Sequence, residues 1–130
     1  FAETVRVTYD PAVITLDQLI QLYFQTIDPT SLNRQGGDIG TQYRSAIFPT
    51  TSQQEELARR MIEAYQEVLE NNGFGKIVTE VTPALEAAPF YPAEDWHQQY
   101  LDKNPNGYQC HARTGMACPL PGAGPVAKVE

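Results

Sequence analysis

The chain has 130 residues, with 9 Lys and Arg against 16 Asp and Glu and a formal net charge of −7. That length suits one domain able to bury its own core, and the charge repels phosphate backbones and anionic headgroups, so neither nucleic acid nor a membrane is expected as a partner. No apolar run reaches the roughly 20 residues that span a bilayer and no basic-then-apolar leader opens the chain, which predicts a soluble, cytoplasmic protein; the start at Phe1 rather than Met predicts that this is not the whole translation product.

"TVRVTYDP" alternates Val5, Val7 and Tyr9 against Thr4, Arg6 and Thr8, the two-residue period of a strand with one buried face, and Asp10-Pro11 stops it. "TLDQ" is a capping box on Thr15, followed at helical spacing by Leu16, Leu19, Ile20, Tyr23, Phe24 and Ile27, which predicts a helix from Leu16 to Thr26. From Asp28 to Tyr43 the chain is polar and irregular, with Gly36, Gly37 and Gly40, and a loop of that length in a compact domain is usually functional. "RSAIFP" reads as a short buried strand closed by Pro49. Ser52 and Glu55 form a second capping box, and Leu57, Met61, Ile62, Tyr65, Val68 and Leu69 repeat at three and four until Asn72-Gly73 ends the helix.

"KIVTEVTP" reads as a strand with Ile77, Thr79 and Val81 on one face. A Pro-bounded aromatic turn and a short helix from about Ala93 to Asp102 follow, after which regular signals end. The order of elements predicts a two-layer α/β or α+β sandwich, helices covering a small sheet, with a body over 1–104 and a long irregular, flexible Gly/Pro-rich tail over 105–130.

Both cysteines, Cys110 and Cys118, lie on that tail. Their spacing is wrong for paired CxxC zinc or redox motifs, and with only His111 and His97 to complete a set, no metal site is expected. Two readings remain open: a structural disulfide pinning the tail, and a mobile dithiol that passes oxidising equivalents by exchange. The body has core enough without a staple and four glycines make the segment pliable, which favours exchange. In "GGDIGTQY", Asp38 and Tyr43 stand on Gly-supported backbone before a strand, as polar groups at a site mouth often do; turn capping by Asp38 and packing by Tyr43 explain the same pattern, and spacing alone favours that plainer account. Glu3, judged alone, is a solvated charge beside a strand.

"AETVRVTYDP", "DPTSLNRQGGDIGTQYRSAIF", "IVTEV", "PFYPAEDWHQQYL" and "KNPNGY" resemble consecutive signature segments of the peptide methionine sulfoxide reductase A family, from Ala2 to about Cys118. The resemblance implies a ferredoxin-like α/β sandwich and reduction of the S epimer of methionine sulfoxide, in proteins or free, as a repair of oxidative damage. It further implies that a cysteine thiolate attacks the sulfoxide sulfur while Glu3 helps protonate the departing oxygen. An ionised carboxylate cannot donate, so this role calls for a partly apolar pocket that keeps Glu3 protonated. Tyr43, matching "GTQYR", would donate to the same oxygen, and Asp38 would hold the network through water. The sulfenic acid left on the nucleophile would be resolved by Cys110, the disulfide recycled through Cys118 and reduced by thioredoxin as an external reductant; no bound cofactor is implied.

The sequence also departs from the family. The Gly-Cys-Phe-Trp motif with the nucleophile and its aromatic pair is not in these 130 residues, nor is a second oxygen-binding tyrosine. Gly37 replaces the usual Asn, Phe1 stands where many relatives have His, and Gln109 separates Tyr108 from Cys110. The expected nucleophile therefore belongs to an N-terminal part outside the chain, with exposed apolar surface where that part would sit. The competing expectation is a catalytically inactive fragment, or a domain that binds methionine sulfoxide and uses its thiols as a redox-sensitive latch.

Overall fold

The structure, a computed structural model, describes residues 2–87, 89–94, 98 and 113–120. Helix α1 spans Leu16–Thr26, as its periodicity predicts. Its capping box is formed: the Thr15 hydroxyl accepts from the Gln18 N–H, and the Gln18 side chain accepts from the Thr15 N–H at 3.0 Å. Helix α2 spans Ser52–Asn71, with its start shifted one residue from the expected box. Thr51, not Ser52, is the cap and accepts from Gln54 N–H (3.1 Å), while the Gln54 carbonyl reaches back to the Thr50 N–H (2.7 Å). Glu55 is thereby free to face Arg59 one turn on, at 3.5 Å. At the other end, Phe74 N–H bonds Leu69 O and Gly73 N–H bonds Glu70 O, a Schellman pair that needs the left-handed backbone of Gly73 (φ +83°).

The two helices pack their apolar stripes together. Phe24 of α1 and Tyr65 of α2 meet at 5.7 Å between ring centroids, and Met61, Ala58 and Leu69 complete a fully buried seam, with Ile20 and Ile77 at its edge. Burying one such side chain contributes about 1.5–3 kcal/mol. Leu57, Ile62 and Val68 flank the seam half-buried.

Strands are short. β1 (Arg34–Gln35) and β2 (Asp38–Ile39) form an antiparallel hairpin inside the stretch expected to be irregular. β3 (Ala46–Ile47) pairs in parallel with β4 (Glu80–Val81), α2 crossing between them, and the contact continues through Ala84 N–H to Pro49 O, while Val78 N–H bonds Pro29 O in the turn after α1. Ile77 is buried and Thr79 and Val81 half-buried, while Val78 faces out, as the alternation requires. The mixture of helices and strands agrees with the α/β reading, and among the described residues the strands form two small two-stranded sheets where a single sheet is expected.

The strand expected over Thr4–Tyr9 does not form. Residues 2–10 carry no regular secondary structure, and Val5 and Val7 are 83% and 54% exposed. Period-two alternation marks which face a strand would bury, but a strand also needs a neighbour to complete its ladder, and none of the described strands supplies one. The expected helix over 93–102 lies largely outside the described residues. No helix among the described residues is long and apolar enough to cross a membrane.

Candidate functional site

The end of α1, the hairpin and the turn after it enclose a cavity of about 270 Å³ lined by Glu3, Tyr23, Gln35, Asp38, Tyr43 and Ser45, with Gln42, Arg44, Thr26 and Ile27. Local chemistry explains how each wall is held. Asp28, just past α1, accepts from the backbone and hydroxyl of Thr30 (2.9 and 2.6 Å), an Asx turn that redirects the chain. Gln35 then clips the hairpin to that turn with both ends of its amide, accepting from Asp28 N–H (3.0 Å) and donating to Asp28 O (2.9 Å). Gly36 opens the two-residue turn at φ +59°, where a Cβ would cost about 1–2 kcal/mol, and sets Asp38 opposite Gln35. A 3₁₀ turn over Thr41–Tyr43 brings Tyr43 to the same cavity.

The floor is a chain of hydroxyls. Tyr23 lies 3.0 Å from the Ser45 hydroxyl, which lies 2.7 Å from that of Thr79, and Ala46 N–H donates to the Tyr23 oxygen at 3.1 Å. Arg44, at the rim, faces Glu80 at 3.5 Å and donates to Thr41 O at 2.9 Å. Glu3 is tied by its backbone N–H to Gln42 O (2.7 Å) while its side chain is exposed, so the apolar enclosure expected around it is not provided by the described residues.

The structure thus brings Glu3, Asp38 and Tyr43 to one cavity. It does not place Cys118 there: that residue is fully buried against the α1–α2 seam, its thiol free. Cys110, His97 and His111 lie outside the described residues. Among the described residues no group of three or more His, Cys, Asp or Glu is placed to hold a metal ion. Sequence reasoning missed Gln35, Tyr23 and Ser45; the only signal was their position beside the loop, because amides and hydroxyls carry no spacing signature.

Burial pushes the Cys118 thiol up to about 12, so near neutral pH it holds its proton, and burial also raises the hydroxyls of Tyr65 and Tyr23. All three acids keep protons in the folded chain at pH values where the unfolded chain has shed them, so stability is full below their ordinary ranges and falls as pH climbs from about 9 toward 12. The urea midpoint should therefore drop between about pH 8 and pH 11, and a constant midpoint would contradict the burial of these groups.

A family model described as peptide methionine sulfoxide reductase matches residues 1–118. The mitochondrial peptide methionine sulfoxide reductase of Homo sapiens is 50% identical over 119 residues, covering 92% of this chain and 49% of the relative. The MsrA of Streptomyces griseus is 49% identical over 91% of this chain and 53% of the relative. Among solved structures, methionine sulfoxide reductase A of Corynebacterium diphtheriae superposes with a TM-score of 0.73 at 47% identity, over 87% of this chain and 56% of that one. Mxr1 of Saccharomyces cerevisiae in reduced form gives 0.72 at 42% identity, over 81% and 54%. The chain spans about half the length of the curated relatives it matches. On the match across residues 1–118 and these identities, the chain belongs to the peptide methionine sulfoxide reductase family.

Proposed function

We propose that this chain supplies the oxygen-binding wall and the disulfide relay of an enzyme that reduces methionine S-sulfoxide, and that the attacking thiol comes from a segment outside these 130 residues. The observation that carries the reading is the convergence of two carboxyl groups and a phenol, Glu3 from the start of the chain with Asp38 and Tyr43 from the loop, on a cavity at the small end of ligand pockets. The exposed valines of residues 2–10 support a further segment at that edge, one that would also complete a ferredoxin-like sandwich and enclose Glu3.

The steps balance as follows. A thiolate attacks the sulfoxide sulfur and forms an S–S bond; Glu3 and Tyr43 donate to the oxygen, which leaves as water as the S–O bond breaks. A water molecule then attacks the cysteine sulfur, the S–S bond breaks, methionine leaves, and the thiol has been oxidised to sulfenic acid with release of one proton. The Cys110 thiol displaces water from the sulfenic acid, forming a disulfide. Cys118 thiolate then attacks the Cys110 sulfur, forming a Cys110–Cys118 disulfide and returning the first thiol, and a thioredoxin dithiol reduces the new bond at the cost of its own oxidation.

Two samples test this: the 130-residue chain, and a longer polypeptide that adds the Gly-Cys-Phe-Trp segment. With dithiothreitol as reductant, the longer form should convert the S epimer and leave the R epimer, and the short chain should convert neither. Turnover by the short chain would overturn the placement of the attacking thiol, and none by the longer form would favour the non-catalytic binding domain.

A further inference from the structure

The relay asks Cys118 to attack a disulfide, yet its side chain is fully buried. Exchange requires a thiolate and an unobstructed line along the S–S axis, and a thiol sealed against Phe24, Met61 and Tyr65 in one core has neither. Four hydrogen bonds among the described residues hold the segment down. Gln21 Nε2 donates to Cys118 O at 2.8 Å and Cys118 N–H donates to Gln25 Oε1 at 2.9 Å, so two side chains one turn apart on α1 grip both backbone polar groups of the same cysteine. From α2 the Tyr65 hydroxyl donates to Met116 O at 2.9 Å and lies 2.9 Å from the Thr114 hydroxyl. Gly115, with φ +79°, lies between these two anchor points, in a conformation that glycine tolerates and other residues resist.

We propose that residues 113–120 form a strap that must lift from α1 and α2 before Cys118 can exchange thiols, and that Gln21 and Gln25 are positioning residues that set how often it lifts. The inference rests on the relay role given to Cys118 above. Neither glutamine touches a reacting atom. Their contacts are to the backbone, where a carbonyl must find a donor and an N–H an acceptor once the segment is buried, so removing the donor at Gln21 or the acceptor at Gln25 leaves an unpaired group and favours the lifted state. Lifting is a local opening that breaks these four hydrogen bonds, withdraws Met116, Cys118 and Leu120 from the core and leaves the α1–α2 seam behind.

The opposite hydrogen-bond polarity at the two glutamines provides a sharp test. Gln21→Glu removes a donor and sets a carboxylate against the Cys118 carbonyl. Gln25→Glu adds the same charge but keeps an acceptor for the Cys118 N–H. The rate at which iodoacetamide labels Cys118 in the reduced 130-residue chain, read by peptide mass, reports lifting without any need for sulfoxide turnover, so its failure and that of the proposed activity are distinguishable. We expect wild-type Cys118 to label at least about tenfold more slowly than in the urea-unfolded chain, Gln21→Glu and Gln25→Leu to label about three- to tenfold faster than wild type, and Gln25→Glu to match or fall below it. Thermal melting accompanies each variant, and because the Glu pair carries equal charge, the difference between its members is the deciding readout. Labelling of wild type at the unfolded rate, or equal rates for Gln21→Glu and Gln25→Glu, would overturn the proposal.

Discussion

Replacing Glu3 with Gln is expected to slow the sulfoxide step by about 10²–10⁴-fold, the range typical of a lost general acid. The amide keeps the size and hydrogen-bonding reach of the carboxyl but has no proton to give as the S–O bond breaks. In the proposed role the group acts on the oxygen as charge develops, and the loss should then fall on kcat with KM nearly unchanged. The measurement is single-turnover reduction of methionine S-sulfoxide by the longer polypeptide that carries the attacking cysteine. Tyr43→Phe removes the second proposed donor to that oxygen and should cost less than Glu3→Gln if proton transfer belongs to Glu3. An unchanged rate for Glu3→Gln, or a rise in KM alone, would remove Glu3 from the role of acid.

The second large effect concerns the scaffold. Phe24 is fully buried, touches Tyr65 at 5.7 Å and Tyr23 at 5.5 Å between centroids, and lies in the same core as Cys118. Phe24→Ala should destabilise the chain by about 3–5 kcal/mol, a large share of the 5–15 kcal/mol typical of a domain. Leu22, two residues earlier and 55% exposed on the opposite face, should tolerate Ala within about 0.5 kcal/mol. Urea denaturation of the two variants checks the pair, and similar losses at both positions would mean that α1 is not docked by the face described. Because Gln21 and Gln25 project from the same helix, loosening α1 should also release the strap.

The helices were legible in the sequence and the strands much less so. Thr15 and Gln18 with the apolar spacing behind them carry the whole signal for α1, since capping and amphipathicity are local. The cap of α2 slipped by one residue because "TTSQQE" offers three consecutive hydroxyls, and only the reach of Gln54 back to Thr50 selects Thr51. Val5 and Val7 alternate as a strand does, but whether a strand forms depends on a partner elsewhere in the molecule, which periodicity cannot encode. The length of the loop over Asp28–Tyr43 marks it as functional, while the hairpin within it depends on the Gln35 clip to Asp28, a contact between uncharged groups with no pattern to read.

At the site, Glu3, Asp38 and Tyr43 were singled out through the family's signature phrases, because from spacing alone each has an ordinary explanation. The tail presents the reverse case. Its glycines and prolines predict pliability, yet residues 113–120 are fastened to two helices by Gln21, Gln25 and Tyr65. Composition describes what a segment can do when free, and the long-range bonds that hold it are invisible to composition.

The central claim is that sulfoxide reduction on this scaffold ends as a disulfide between Cys110 and Cys118. It is tested most directly by adding one equivalent of methionine S-sulfoxide to the reduced longer polypeptide without any reductant, alkylating the remaining thiols and mapping the peptides by mass. The account predicts stoichiometric methionine together with Cys110 and Cys118 protected from alkylation and recovered as one disulfide-linked pair. Methionine formed while both tail cysteines remain fully alkylated would contradict it.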